Sequence, residues 1–136
     1  MRIVARALNA TAGVVGLAGS ALAADMTGAE IKAFISGKTS YQETTPDSLT
    51  GKAGQGVIYW GADGTALYKT PMGVTWHGKW KIKGNTLCTN WKEKPNAPCT
   101  RYDKTGDTVI IVDSRNGKTR AKIVKTVAGN AEKLTP

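Results

Sequence analysis

The sequence predicts an all-β fold: a small antiparallel meander rolled into a barrel or half-barrel behind one short N-terminal helix. Three observations carry this reading. Apolar and polar residues alternate with period two along most of the chain after residue 38, the pattern of a strand with one buried face. Short turn signals punctuate that pattern at Asp63-Gly64, Gly84-Asn85 and Asn116-Gly117. Three of the chain's four tryptophans fall within "TWHGKWKIKGNTLCTNW", residues 75–91, giving the inner face enough volume to fill a small barrel.

The chain opens with Arg2 and Arg6, an Ala/Gly/Val/Leu-rich stretch, and the small triplet Ala21-Leu22-Ala23. That is the layout of a cleavable signal peptide, residues 1–23, with cleavage after Ala23 or Ala24. The apolar stretch is short and weakly hydrophobic for a membrane span, which needs roughly 20 strongly apolar residues. The expectation is therefore a periplasmic or secreted protein, not membrane-spanning after cleavage, with one domain over residues 24–136.

The helix is expected at about residues 27–36. Thr27 and Glu30 form a capping box, Ile31, Phe34 and Ile35 share one face, and Gly37 stands where a terminating glycine belongs. "SGKT" at 36–39 is not a phosphate-binding loop. It has Lys32 where the first glycine of that motif is required, and it closes a helix instead of opening one. "YQETTPDSLTGKAGQG", residues 41–56, reads as a loop from its Pro, Asp, Ser and Gly content. "VIYW-GADG-TALYKT" then reads as a hairpin.

The Gly84-Asn85 turn sets Ile82 opposite Leu87, Lys81 opposite Cys88, Trp80 opposite Thr89 and Gly78 opposite Trp91. One face then carries Trp76, Gly78, Trp80, Ile82, Leu87, Thr89 and Trp91, with the Trp91 ring over the bare glycine. The other face, directed to solvent, carries His77, Lys79, Lys81, Lys83, Thr86, Cys88 and Asn90. A returning strand from Cys99 would bring Cys88 and Cys99 together on the outer face, with Thr100 and Tyr102 pointing inward. An even cysteine pair in a small exported domain reads as a disulfide. The last hairpin, turning at Asn116-Gly117, predicts an exposed Asp113–Arg120 cross-strand pair and an inner face of Ile110, Val112, Ala121 and Ile123. The tail after Val127 is expected to fray.

Together these give seven or eight strands in a meander, closing into a lipocalin-like or open barrel that hides its edges. At this point "MTGAEIKAFISGKT", "YWGADGTALYK" and "GKWKIKGNTLCTNW" with a second cysteine resemble the DUF995-type family of small exported bacterial proteins. The resemblance implies a periplasmic or secreted β-rich domain of uncharacterised role. The tryptophan strand, glycine turn and Leu-Cys pair are also similar to the small β-barrel inhibitors of exported metalloproteases, which act through an N-terminal segment.

Charge is unevenly placed. Loss of Arg2 and Arg6 takes the net charge from +9 to about +7, and residues 79–136 carry thirteen basic against five acidic residues. A cationic face attracts polyanions, which outside the cytoplasm are anionic envelope headgroups; a nucleic-acid partner is not expected. The residues proposed for that contact are Lys79, Lys81, Lys83, Lys122 and Lys125. Catalysis is not expected: with both cysteines oxidised and the single histidine on the solvent face, no nucleophile–base pair stands out. No metal or organic cofactor is expected. The leading function is a binding module holding a small ligand against Tyr59, Trp60, Tyr68, Trp76, Trp80, Trp91 and Tyr102. The alternative is a protein–protein module such as an inhibitor of an exported protease or hydrolase.

Overall fold

The computed structural model describes residues 24–136, so the signal-peptide reading lies outside the described residues. A two-residue strand β1 (Ala24–Asp25) leads into helix α1 (Gly28–Ile35). Eight strands follow: β2 (Lys38–Thr44), β3 (Gly54–Trp60), β4 (Thr65–Lys69), β5 (Thr75–Lys83), β6 (Thr86–Trp91), β7 (Thr100–Thr105), β8 (Thr108–Asp113) and β9 (Thr119–Ala128). Each pairs antiparallel with the next, and β9 returns to pair with β2, so the meander closes on itself as an eight-stranded barrel. Closure leaves no free edge among these eight strands.

The helix forms as its sequence dictates. The Thr27 hydroxyl accepts from the Glu30 amide at 3.1 Å, and the Glu30 carboxylate accepts from the Thr27 amide at 2.8 Å. Gly37 ends it at φ 72°. Ile31 and Ile35 are fully buried in the barrel core, so α1 plugs one end of the barrel. Gly28 makes that seating possible: a Cβ there would collide with the Gly84 carbonyl and with Ile82.

The β5–β6 hairpin has the expected register, Ile82 opposite Leu87 through Gly78 opposite Trp91. Gly84 alone takes positive φ in the two-residue turn, as a type II′ turn requires. At Gly78 a Cβ would lie 2.9 Å from the Trp91 ring and 2.6 Å from the Asn90 carbonyl, so only glycine allows the ring to close over the strand.

Four expectations are corrected. Tyr41–Thr44 is strand, not loop, and the true loop is 45–53; the inner positions of β2 are Ser40, Gln42 and Thr44, so apolar alternation gave no signal there. In the β8–β9 hairpin Asn116-Gly117 does not form a two-residue turn. Only Gly117 has positive φ, the Asp113 amide donates to the Lys118 carbonyl, and a bulge between Thr119 and Ala121 shifts the phase. Val109 and Ile111 therefore join Ala121 and Ile123 in the barrel's core cluster, in place of Ile110 and Val112, although Val112 is itself buried. The Asp113–Arg120 pair exists at 2.8 Å but is buried, not exposed. Finally, the tail is docked: the Thr39 hydroxyl donates to the Gly129 carbonyl at 2.6 Å and accepts from the Ala131 amide at 3.0 Å. Tyr41 donates to Glu132, and the Asn130 amide bridges both backbone groups of Leu134.

The thinnest pairing in the ring is β6 with β7, where only Leu87 and Thr100 are in register. The Cys88–Cys99 disulfide lies immediately beside that pair and fastens the seam covalently. Replacing both cysteines with alanine should lower stability by about 3 kcal/mol, the loop-closure value for this separation. Urea unfolding checks the magnitude, and hydrogen exchange should show β6 and β7 losing protection before β2 and β9.

Candidate functional site

Loops 45–53, 70–74, 92–99 and 114–118 gather at the end of the barrel opposite α1, because successive turns of a meander alternate between ends. Below them the interior divides into two parts. One part is packed with aromatic rings: Trp60 meets Trp80 edge-on at 6.2 Å near the helix end, Tyr68 meets Trp76 edge-on at 5.7 Å near the 70–74 loop, and Trp91 leans on Trp60, Tyr68 and Trp76. Two of their polar tips have partners. Trp60 Nε1 donates to Ser40 at 3.2 Å, and Trp80 Nε1 donates to the Gly61 carbonyl at 2.9 Å. Burial pushes the Tyr68 phenol up to about 12.

Beside this cluster lies a cavity of about 60 Å³ whose lining includes Ser48, Leu49, Ala97 and Pro98 of the mouth loops. Of the residues expected to line a ligand space, Trp60, Tyr68, Trp91 and Tyr102 do so. Trp76 and Trp80 belong to the aromatic packing and do not reach the cavity wall. Tyr59 is a correction: it is the neighbour of Trp60 on β3, adjacent strand residues face opposite ways, and Trp60 takes the inner position. Sequence reasoning missed, among others, Gln42, Leu49, Pro98, Ile111 and Arg120, which also line the wall. A polar strand face and an arginine pointing inward carry no apolar periodicity by which to find them.

Arg120 is the central charged group of this wall. Its Nη2 donates to Asp113 Oδ2 at 2.8 Å, and Asp113 also accepts from the Arg115 amide at 2.8 Å and from Arg115 Nη2 at 3.1 Å. These donors, Arg115 first and then Arg120, hold the Asp113 carboxyl well below the usual carboxylate range. Three buried polar atoms of residues that line the cavity have no partner among the described residues: Gln42 Oε1, Tyr102 Oη and Arg120 Nε. Burial alone drives the Tyr102 phenol far above its ordinary value, so it stays protonated.

Above the cavity, sharing Ser48, Leu49, Ala97, Pro98 and Arg120 with it, is an open vestibule of about 370 Å³. Its rim brings Lys94, Arg115 and Lys118 together with Asp47 and Asp113. The lysines singled out from the sequence lie elsewhere and do not form one strip. Lys79, Lys81 and Lys83 project from β5, whereas Lys122 and Lys125 project from β9, four strands away and across the barrel. Lys122 lies 3.9 Å from Glu43, and Lys125 stands 4.8 Å over the Tyr41 ring.

Two further groupings escaped the sequence. His77 is partly exposed, and Glu93 grips it twice, accepting from its amide at 2.7 Å and lying 2.8 Å from Nδ1. The β1–β7 pairing sets Asp25 beside Asp103, both near Arg101; burial and the neighbouring Asp25 raise the Asp103 carboxyl. Among the described residues no group of three or more His, Cys, Asp or Glu is arranged to hold a metal ion. Nor is any described helix long and apolar enough to cross a membrane. Comparison with protein-family profiles, curated proteins and solved structures returned no match.

Because the Asp113 carboxyl titrates lower folded than unfolded, its stabilisation is complete above about pH 5 and fades as pH falls through the unfolded value near 3.9 and below. Asp113→Ala leaves Arg120 buried without its counter-charge and should cost about 3–5 kcal/mol at pH 7. The deficit should shrink at pH 3, which paired urea titrations at the two pH values measure.

Proposed function

We propose that this protein is an exported binding module whose barrel interior takes up part of a small ligand through the loop-bordered mouth. The observation that carries this reading is the cavity next to the aromatic cluster, whose lining combines aromatic rings with three residues that hold unpartnered buried polar atoms. A purely structural core rarely leaves buried polar groups unmet, because each costs roughly 1–3 kcal/mol. The vestibule supplies an approach, and its excess of cations over carboxylates favours an anionic or electron-rich molecule in the surrounding solution.

Export rests on the arginine-led N-terminal leader and on a disulfide of the kind that persists in oxidising compartments. The DUF995-type resemblance points the same way. The inhibitor role is less well supported. It would use a free N-terminal segment, whereas Ala24 and Asp25 pair with β7 and the Met26 amide donates to the Tyr102 carbonyl at 2.8 Å.

Ala121 lies on the cavity wall and is fully buried, so Ala121→Leu fills the space from within. The full chain, expressed with its leader and purified gently from the extracytoplasmic fraction, should carry a small-molecule adduct in native mass spectrometry. Ala121→Leu should carry at least tenfold less while keeping an equal or higher thermal midpoint. A wild-type protein without any adduct, stabilised by the same substitution, would mark the space as a packing defect and end the reading.

A further inference from the structure

The three unpartnered atoms specify what such a ligand must present. Gln42, Tyr102 and Arg120 are 5%, 1% and 7% exposed, and they come from β2, β7 and β9 to border one space. Their chemistry differs. Arg120 Nε–H can only donate, Gln42 Oε1 can only accept, and the Tyr102 hydroxyl can do either. An occupant that satisfies all three carries at least one acceptor and one donor close together.

Charge narrows the choice. The Arg120 guanidinium already has its counter-ion, Asp113, at 2.8 Å. A second carboxylate in the cavity would meet Asp113 at short range inside a poorly solvated wall, and an ammonium would meet Arg120. Burying either charge without a free partner is costly. An uncharged group meets neither penalty.

Size narrows it further. At roughly 10–15 Å³ for each water-sized occupant, the 60 Å³ space holds roughly four to six such groups. Ile58, Leu87 and Ile111 add apolar wall beside the rings, which suits a short carbon stem.

We propose, building on the binding reading above, that the barrel cavity recognises a small uncharged group bearing adjacent hydrogen-bond acceptor and donor atoms, a primary carboxamide in chemical class, on a short aliphatic stem. The carbonyl oxygen accepts from Arg120 Nε and Tyr102 Oη, and the amide N–H donates to Gln42 Oε1. The remainder of a larger ligand extends into the vestibule.

The test is an NMR titration of the purified protein with propionamide, propionate and propylammonium at matched ionic strength and pH 7. The indole N–H signals of Trp60 and Trp91 and the methyls of Leu87 and Ile111 report on the wall. Propionamide should give saturable shifts with an affinity at least tenfold higher than either ion. Gln42→Leu and Tyr102→Phe should each weaken it by about five- to tenfold while remaining folded, since each removes an unmet buried polar group. Propionate or propylammonium binding as tightly as propionamide would overturn the uncharged class, as would the absence of a saturable response to propionamide. Neither result touches the broader binding reading, which stands or falls on the native adduct and its loss in Ala121→Leu.

Discussion

Every inward-facing side chain in this protein owes its neighbours to the pairing of β9 with β2, which runs from Ala121 opposite Thr44 to Ala128 opposite Lys38. Without it the meander is an open sheet with one wet face, and the tryptophans of β3, β5 and β6 have nothing to pack against across the ring. With it, aliphatic residues from β8 and β9 and the rings from β3 to β6 enclose a single core. Ring closure also explains the polar residues within. Ser40, Gln42 and Thr44 face inward because β2 has to sit beside β9, whatever its composition. Two of the three hydroxyl or amide groups are met, Ser40 by Trp60 and Thr44 by carbonyls of the following loop, while the Gln42 oxygen faces the remaining space.

The opposite side of the ring is built differently. At β6–β7 the backbone ladder nearly lapses, and a covalent bond replaces it. The ladder is short there because Ala24 and Asp25 pair with Lys104 and Asp103, and the Met26 amide donates to the Tyr102 carbonyl, so β1 takes up the edge of β7 beyond Arg101; the 92–99 loop contributes Ala97 and Pro98 to the cavity wall. Small residues, Ala97, Thr100 and Ala121, are among those lining the interior space.

The architecture was largely legible in the sequence, and the site only in part. The helix with its capping box, the β5–β6 register, the disulfide and the barrel class all follow from local rules, each confined to a few neighbouring residues. Tyr59 is expected from the sequence to line a ligand space, and strand alternation overrides that once Trp60 takes the core position. The Asp113–Arg120 contact was foreseen, yet its burial was not, since a bulge displaces the register and carries both residues inward. Gln42 and Arg120 were invisible for a general reason. A polar residue facing inward is recognisable only from what surrounds it, and its surroundings here come from strands up to eighty residues away in sequence.

The order of strands along the chain carries one more consequence. The first long strand and the last are partners, so the ring is a contact between the two ends of the domain, and the C-terminal strap then lies across Thr39 and Tyr41 on β2. A growing polypeptide cannot close this ring until β9 has emerged, because β2 has no partner on that edge before then. A chain threaded end-first through any narrow passage would keep its two closing edges apart for the whole transit. It would become a barrel only on release, a sequence of events that favours passage before folding over folding before passage.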